Sequence, residues 1–519
     1  MKNHRLNSLG WLALVGLISL LLCAPFFRVI YDLPDEGIFL RGAEMILQGK
    51  RLYGDFFGFL PPGSYLITAA AFGIGGSSIE SARLLAILTI LGIACFTFLG
   101  CRQVSRTAPL SALLVSGWVM MTQWHFLQVS HHWFTTFFSM AAAWVAFASQ
   151  EQTDRRSLRW PILAGMAAGA ATMCTPTCGA WAMLAAATAF IGVKEARKEL
   201  IAFFSGSALV FVANFVLVIK QHTLAEAFDD VIRFPISHYA SIQYVPFDYG
   251  AAMFDLPLKY VFPLLAFLFL FEIVRDWRSC LRDRRLRLCA AFALAGLLAC
   301  FPRPDSAHVA YAIPLALPLL ALRSVQLTAS LRPLFRCTLI AGVILLCVPS
   351  AFAFAFVART AHQAPLIQTA RGRAAFLYFT NGMPDILPIL ATTAPKGAFF
   401  FYPHSPMLSF LAAREHVSQY DIFIPWYTTP AQYQDACLSV LRDASWVVMD
   451  RRFSDYSFWK RTYPSIPNAK PLETIRFEGV LERAFQRVTV KGTLDLRRRR
   501  EGVTASVCRD IAETGLRQN

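Results

Sequence analysis

The sequence predicts a polytopic α-helical membrane protein that carries an α/β domain after its last membrane span. Three observations predict this class. Hydrophobic residues make up 56% of the 519 residues and charged residues only 16%, whereas soluble domains are nearer half apolar and a quarter charged. Apolar segments long enough to cross a bilayer recur along the first 358 residues. After residue 358, this continuous hydrophobicity gives way to short alternating patterns.

The apolar segments predict about eleven spans. The first span lacks a small-residue cleavage site and leads into a carboxylate-bearing loop, so we interpret it as a retained span and not as a signal peptide. The candidate spans are 9–30, 80–100, 108–123, 132–149, 159–174, 177–193, 200–219, 257–274, 287–301, 308–322 and 337–358.

Basic residues in alternate short loops predict the orientation, because Lys and Arg resist translocation. The loops around Arg102, Arg155 and Arg278 are strongly basic, whereas the intervening loops carry few Lys or Arg. This parity predicts a cytoplasmic N-terminus. It places the loop 31–79 and the chain after residue 358 on the other side of the membrane.

The net charge of +16 does not predict nucleic-acid binding, because the basic residues are dispersed over the predicted cytoplasmic loops. The run Arg497–Arg500 is the exception, and both a solvated or disordered tail and a contact with anionic lipid remain open for it. Ten of the twelve cysteines lie in or beside predicted spans, where Cys packs as a small apolar residue. Cys437 and Cys508 lie outside and could pair in an oxidising compartment.

The sequence predicts that residues 359–519 form a small extracytoplasmic α/β domain with a basic tail. It predicts that residues 1–358 form the membrane domain. The segments 397–402 and 445–450 favour buried strands. Between them, 429–443 has the pattern of an amphipathic helix that begins with a Thr cap and a Pro.

The stretch YDLPDEGIFLRGAEMILQG directly follows the first span and places Asp35 and Glu36 at its mouth. The Pro that precedes this pair favours an extended conformation for the residue on its N-terminal side. Asp35 then starts a helix, and the backbone amides at the start of that helix favour an ionised carboxylate. Neighbouring helical residues diverge by about 100°. We therefore expect one carboxylate to face a reaction and the other to make a supporting contact, the alternative being a helix cap beside a solvated acid.

The next stretch, LYGDFFGFLPPGSYLITAAAFGIGG, predicts a helix too short to span a bilayer. We expect it to lie in the membrane interface, with Tyr53, Phe56, Phe57 and Phe59 at headgroup depth. A long outer loop of two in-plane helices could roof a cavity open to both lipid and water.

Two further groups of polar residues fall at outer ends of predicted spans, where ionisable groups tend to line functional cavities. RPDSAH supplies Arg303, Asp305 and His308, and another span begins near His131 and His132. A guanidinium fork matches phosphate oxygens, although a pair with Asp305 that only pins the loop remains open for Arg303. Interfacial packing remains open for the two adjacent histidines.

The residues around the first outer loop resemble those of GT-C glycosyltransferases of the protein O-mannosyltransferase and lipid A aminoarabinose transferase superfamily. The matching features are the acidic pair after span one, the paired prolines Pro61 and Pro62, and ARLL around Arg83. The segment 402–450 is similar to the outside domain of bacterial members. One departure is Leu60, since relatives of the aminoarabinose type often carry Lys directly before the prolines.

The resemblance implies a GT-C-like transferase in a bacterial inner membrane. Its donor would be a polyprenyl-phosphate-linked sugar, and its acceptor a glycan, lipid or protein on the extracytoplasmic face. Asp35 matches the catalytic Asp of the family and Glu36 its neighbour. The residues expected to bind substrate are Arg83, Arg303, Asp305, His308, His131, His132, Tyr53 and Asp55.

The chemistry of such a donor agrees with a single carboxylate. Phosphate is already a good leaving group, so the site needs a base for the acceptor hydroxyl and cations for the phosphate. We expect Asp35 to be that base, Arg83 and Arg303 to hold the phosphate, and the anomeric centre to invert. No cofactor is required by the sequence, and a divalent cation remains open.

A lipid or glycan transporter or flippase is the main alternative. It would use Arg303 and Asp305 as a relay, and would be expected to have charges within several spans, broken helices and repeated halves. No repeat is apparent in the sequence, and the spans carry few central charges. A glycolipid-binding scaffold would keep the topology but would give Asp35 no special task.

Overall fold

The computed structural model describes residues 2–31, 34–151, 157–193, 195–247, 256–330, 332–377, 380, 382–393 and 398–511. Arg155, in a predicted basic loop, and Gly397, in a predicted strand, lie outside the described residues.

The first part of the chain is helical. Its helices are α1 (Lys2–Cys23), α2 (Pro34–Leu47), α3 (Gly63–Gly75), α4 (Ile79–Ser105), α5 (Ala108–Phe126), α6 (His131–Gln150), α7 (Arg159–Cys174), α8 (Pro176–Ala187), α9 (Ala196–Lys220), α10 (Leu224–Phe228), α11 (Ala240–Ile242), α12 (Leu256–Arg282), α13 (Arg284–Ala299), α14 (Ser306–Ser330) and α15 (Pro333–Gln363). Apart from α2, α3, α10 and α11, each coincides with a predicted span.

Five of the described helical segments are long and apolar enough to cross a bilayer: Leu9–Phe26, Ile79–Ser105, Ala196–Lys220, Ser306–Leu327 and Pro333–Gln363. The protein is therefore a multi-pass membrane protein, and the total of eleven spans stays a prediction. The helix α3, at 13 residues, is apolar but shorter than a span, as its sequence predicts.

The aromatic residues before α3 differ from the expectation of headgroup depth. Tyr53 and Phe56 are buried in the protein, and Tyr53 Oη donates a hydrogen bond to Leu60 O at 2.7 Å. The Phe57 ring packs against Phe234 and Tyr420, at 5.0 and 5.8 Å between centroids. Later segments of the chain cover this loop, and a sequence pattern alone does not show such coverage.

The last part of the chain alternates strands and helices. The elements are β2 (Leu366–Thr369), β3 (Gly372–Phe376), α16 (Met383–Thr392), β4 (Phe399–Tyr402), α17 (Pro406–Ala412), α18 (Pro430–Asp443), β5 (Trp446–Asp450), α19 (Tyr456–Thr462), α20 (Leu472–Ala484), β6 (Phe485–Lys491) and β7 (Leu494–Arg499), with β1 (Val29–Ile30) preceding α2. The predicted strands and the Thr429-capped helix α18 are confirmed.

These strands form two small sheets. One has the order β1-β3-β2, and its central strand β3 pairs in parallel with β1, so the end of the first membrane helix is tied to the C-terminal part. The other has the order β4-β5-β7-β6, with β4 and β5 parallel. Phe400, Phe423 and Phe477 pack in a separate hydrophobic core on this second sheet. Cys437 in α18 and Cys508 form a disulfide, and the other ten cysteines are free.

The basic run near the end of the chain is part of a strand and not a disordered tail. Arg497 lies in β7 and is 4% exposed. Its Nη2 lies 3.0 Å from the fully buried carboxylate of Asp495, which Arg451 and Arg487 also contact at 3.0 Å. This carboxylate offsets the positive charge, which explains why an arginine is tolerated inside the sheet.

The C-terminal part rests directly on α2. A Cβ added at Gly37 would lie 2.2 Å from the backbone N of Met407 in α17, so only glycine permits this approach. One turn further along α2, Arg41 donates to Ser409 Oγ at 2.9 Å and pairs with Asp421 at 3.0 Å. These contacts with the C-terminal part fix the orientation of α2.

Gly37→Ala tests this contact. Alanine improves helix propensity by about 1 kcal/mol, but a clash with backbone cannot relax by rotating a side chain and costs about 1–3 kcal/mol. We expect a lower apparent melting temperature in detergent at a fixed scan rate. Gly73→Ala in α3 is the matched control, since its Cβ would meet only Leu47 at 3.9 Å. An unchanged melting temperature for Gly37→Ala would contradict the close approach.

Candidate active site

The two adjacent carboxylates at the start of α2 point in different directions. Glu36 is fully buried and pairs with the guanidinium of Arg83 in α4, which is 1% exposed. The side chain of Asp35 is solvent-exposed and lines a cavity. The divergence follows from the helical rotation of about 100° per residue.

The buried pair joins four parts of the chain. Arg83 Nη2 lies 3.0 Å from Glu36 Oε2, and Arg83 donates to Val29 O in β1 from Nε at 3.1 Å and from Nη2 at 2.7 Å. The backbone N–H of Val129, just before α6, donates to Glu36 Oε1 at 2.9 Å. The Arg83 guanidinium thus lies in the protein interior, bonded to Glu36 and β1, and is absent from the cavity lining.

The cavity has a volume of about 620 Å³, within the range of small-molecule sites. Its lining comes from the ends of helices in the first part of the chain, from segments beside them, and from the C-terminal part. The lining residues are Tyr31, Asp35, Phe59, Trp124, His125, His131, His132, Tyr239, Gln243, Arg303, Asp305, Ala307, His308, Val357, His404, Arg452, Phe453, Phe458, Trp459, Thr462 and Tyr463.

Arg303, Asp305 and His308 form a connected group at the start of α14. Arg303 Nε lies 2.7 Å from Asp305 Oδ2, and His308 Nδ1 lies 2.7 Å from Asp305 Oδ1. The guanidinium of Arg303 also donates to Thr462 O at 3.1 Å and lies over the Tyr463 ring at 4.9 Å. The side chain of Arg303 is 18% exposed, so it remains accessible from the cavity.

The electrostatics of the two aspartates differ. Desolvation by the surrounding protein raises the pKa of Asp35 above its ordinary value, and the nearby charges of His308 and Arg303 oppose this rise. Burial also acts to raise the pKa of Asp305, but the contacts with His308 and Arg303 outweigh it and hold that pKa below its ordinary value. Asp305 therefore serves as the fixed anion of the group, while Asp35 is the better proton acceptor.

His131 and His132 begin α6, whose preceding residue Ser130 caps it by accepting from the N–H of His132 at 3.2 Å. His131 Nδ1 is 2.8 Å from Thr175 Oγ1. The His132 ring stacks on Tyr311 and lies 4.8 Å from the ring of His308. Both histidines line the cavity.

Two residues named from the sequence lie elsewhere. Tyr53 is buried against Leu60, and Asp55 pairs with Arg51 at 2.9 Å, so neither is among the cavity-lining residues. The structure therefore brings together Asp35, Arg303, Asp305, His308, His131 and His132. It leaves Glu36, Arg83, Tyr53 and Asp55 outside the cavity lining.

Sequence reasoning missed the part of the cavity contributed by the C-terminal residues. His404 follows β4, and Trp459 and Tyr463 belong to α19 or its end. The only signal in the sequence is the density of aromatic and basic residues in SFWKRTY, which has no diagnostic spacing. Among the described residues, no group of three or more His, Cys, Asp or Glu is arranged to hold a metal ion.

Glu36 and Asp35 differ in their burial and in their partners, so we expect their removal to change the stability of the protein by different amounts. Glu36→Ala would leave Arg83 buried without its counter-ion, which costs about 3–5 kcal/mol. Asp35→Ala at the neighbouring position removes a cavity-facing group and is the matched control. We expect Glu36→Ala to lower the apparent melting temperature strongly, or to prevent recovery of folded protein, and Asp35→Ala to change it little. Equal melting temperatures would contradict the structural role of the pair.

Comparisons with known proteins find likeness at the level of structure. ArnT from Cupriavidus metallidurans bound to undecaprenyl phosphate aligns with 94% of this chain and 98% of its own, with a TM-score of 0.56 and 14% identity. Its apo state gives the same TM-score and identity over 95% of this chain and 98% of its own. The apo oligosaccharyltransferase from Archaeoglobus fulgidus aligns with 87% of this chain and 70% of its own, at a TM-score of 0.52 and 14% identity.

No protein-family profile and no curated protein sequence matches the chain. At such low identity, the likeness establishes the fold and not the reaction. The resemblance first noted in the loop residues thus extends to the architecture, and the chain shares its fold with ArnT and with the oligosaccharyltransferase.

Proposed function

We propose that this protein transfers a sugar from a polyprenyl-phosphate donor to an acceptor hydroxyl. The observation that carries the proposal is the placement of Asp35 in a cavity with Arg303 and His308. A fold shared with ArnT, which has been crystallised with undecaprenyl phosphate, supports a lipid-linked donor. The acceptor class, whether glycan, lipid or protein, stays open, as does a divalent cation.

Asp35 is the proposed base. Its pKa is raised above that of an ordinary aspartate, so its carboxylate is the stronger base of the two aspartates at the cavity. The acceptor oxygen attacks the anomeric carbon as its proton passes to Asp35. The bond from that carbon to the phosphate oxygen breaks, and its electron pair leaves with the phosphate. The products are the glycoside and polyprenyl phosphate, and attack from the opposite face inverts the anomeric centre.

Arg303 is the proposed phosphate ligand. Its guanidinium reaches the cavity wall, and a planar fork suits phosphate oxygens. Arg83 was the other candidate from the sequence, but a phosphate could reach it only by displacing Glu36 from the protein interior. We assign Arg83 and Glu36 to positioning α2, and Asp305 and His308 to orienting Arg303 and the substrate.

The proposed site lies on the extracytoplasmic side of a bacterial inner membrane, with the N-terminus in the cytoplasm. The basic loops support this orientation. The Cys437–Cys508 disulfide supports it independently, because disulfides persist in oxidising compartments. Residues 359–519 would then form an extracytoplasmic domain above the membrane part.

Asp35→Asn tests the proposed base. The amide keeps the size of the side chain but accepts a proton poorly, so we expect transfer to fall by about 10²- to 10⁴-fold. The measurement is transfer from a panel of radiolabelled polyprenyl-phosphate sugars in membranes that contain matched amounts of wild-type or variant protein, with lipid, glycan and peptide acceptors supplied.

Asp55→Asn is the matched control, because Asp55 lies outside the cavity lining and pairs with Arg51. It should retain wild-type transfer. Equal transfer by the Asp35→Asn variant and the wild type would remove Asp35 as the base. No transfer by the wild type with any donor or acceptor of the panel would count against the transferase and favour transport.

A further inference from the structure

His404 is a buried polar side chain at the cavity that the transfer mechanism does not use. It follows β4, is 7% exposed and lines the cavity that contains Asp35. Its Nδ1 makes no hydrogen bond to another residue in the part of the chain that the structure describes. Buried polar atoms are nearly always paired, and leaving one unpaired costs about 1–3 kcal/mol. A ligand in the cavity would satisfy this atom.

Burial determines what His404 can offer to such a ligand. It lowers the pKa of the imidazole to about 3, so the ring is neutral at physiological pH. A neutral imidazole presents one N–H donor and one acceptor nitrogen. A hydroxyl group can use both kinds of partner, because it is itself a donor and an acceptor. The ring is therefore suited to an uncharged hydroxyl.

Aromatic side chains surround His404. The rings of Phe453 and Trp459 lie 6.1 and 6.3 Å from the His404 ring, and Tyr463 stacks on Trp459 at 6.2 Å. The indole N–H of Trp459 donates to Phe453 O at 2.7 Å, which fixes the orientation of the ring. A rigid aromatic wall with one polar group is typical of sites that orient a small ligand.

The aromatic wall is continuous with the proposed phosphate ligand. Tyr463 lies beneath the Arg303 guanidinium, and the carbonyl of Thr462 accepts from it. In a polyprenyl-phosphate sugar, the sugar is bonded directly to a phosphate oxygen. A donor whose phosphate is held by Arg303 can therefore reach this wall with its sugar.

We propose that His404, Trp459 and Tyr463 bind the sugar ring of the lipid-linked donor, and that His404 hydrogen-bonds one of its hydroxyl groups. This inference rests on the proposed function, because it takes the phosphate to lie at Arg303. Recognition by a neutral imidazole depends on the hydroxyl groups of the sugar and not on a charge.

The test measures binding and does not depend on turnover. Purified wild-type protein, His404→Phe and His404→Gln are titrated with undecaprenyl phosphate and with its glucose, galactose, mannose and 4-amino-4-deoxyarabinose derivatives. We expect at least one sugar derivative to bind the wild type more tightly than bare undecaprenyl phosphate. Phe keeps a ring but cannot hydrogen-bond, so this gain should fall by about five- to tenfold. Gln should restore part of it.

The affinity for bare undecaprenyl phosphate is the internal control and should be the same in all three proteins. An equal loss for bare and sugar-linked lipid in His404→Phe would indicate a structural role and overturn the inference. A wild type that gains no affinity from any of the sugars would also overturn it. If His404→Phe does not fold, the affinities of His404→Gln and of the wild type for bare and sugar-linked lipid still test the inference.

The same titration separates this inference from the proposed function. Tight binding of sugar-linked lipid that depends on His404, together with no transfer, would retain the sugar site and reject the transferase. Transfer that depends on Asp35, with sugar selectivity unchanged in His404→Phe, would retain the transferase and reject the assignment of His404.

Discussion

The buried ion pair between Glu36 and Arg83 is the interaction on which the candidate site depends. Two charges in the interior are costly to desolvate, and the structure compensates them with each other, with the carbonyl of Val29 and with the amide of Val129. Those four residues belong to β1, α2, α4 and the segment before α6. Once the pair has formed, the first turn of α2 can adopt only one rotation about the helix axis. The direction in which the Asp35 side chain points is thereby fixed.

The second constraint comes from the other side of α2. Gly37 admits the backbone of α17, and Arg41 reaches Ser409 and Asp421, so the C-terminal part is seated on the helix that carries Asp35. The same part also supplies His404 and the aromatic residues of the cavity wall. The helical first part of the chain thus contributes Asp35, Arg303, Asp305 and His308, and the C-terminal part contributes Arg452 and the aromatic wall around His404. Because both parts of the chain meet at α2, a shift of the C-terminal part on α2 would change the geometry of the cavity.

The sequence predicts the helices well, because apolar runs and their polar boundaries are local signals. It also predicts that Asp35 and Glu36 diverge, because that follows from helix geometry alone. It does not distinguish Arg83 from Arg303 as a phosphate ligand, since both are arginines near an outer boundary. What separates them is access: Arg83 is buried against Glu36, 47 residues away, whereas the side chain of Arg303 is 18% exposed and lines the cavity. The pairing of β7 with β5, which buries Arg497 and Asp495, and the place of His404 are likewise set by long-range contacts that no local pattern encodes.

The most direct test of the account is an experimental structure of the protein with undecaprenyl phosphate bound. We expect the phosphate to lie in the cavity within hydrogen-bonding distance of Arg303, Asp35 to face the same space, and the Glu36–Arg83 pair to be intact. A phosphate bound to Arg83 with Glu36 displaced, or a lipid headgroup bound away from Asp35, would contradict it.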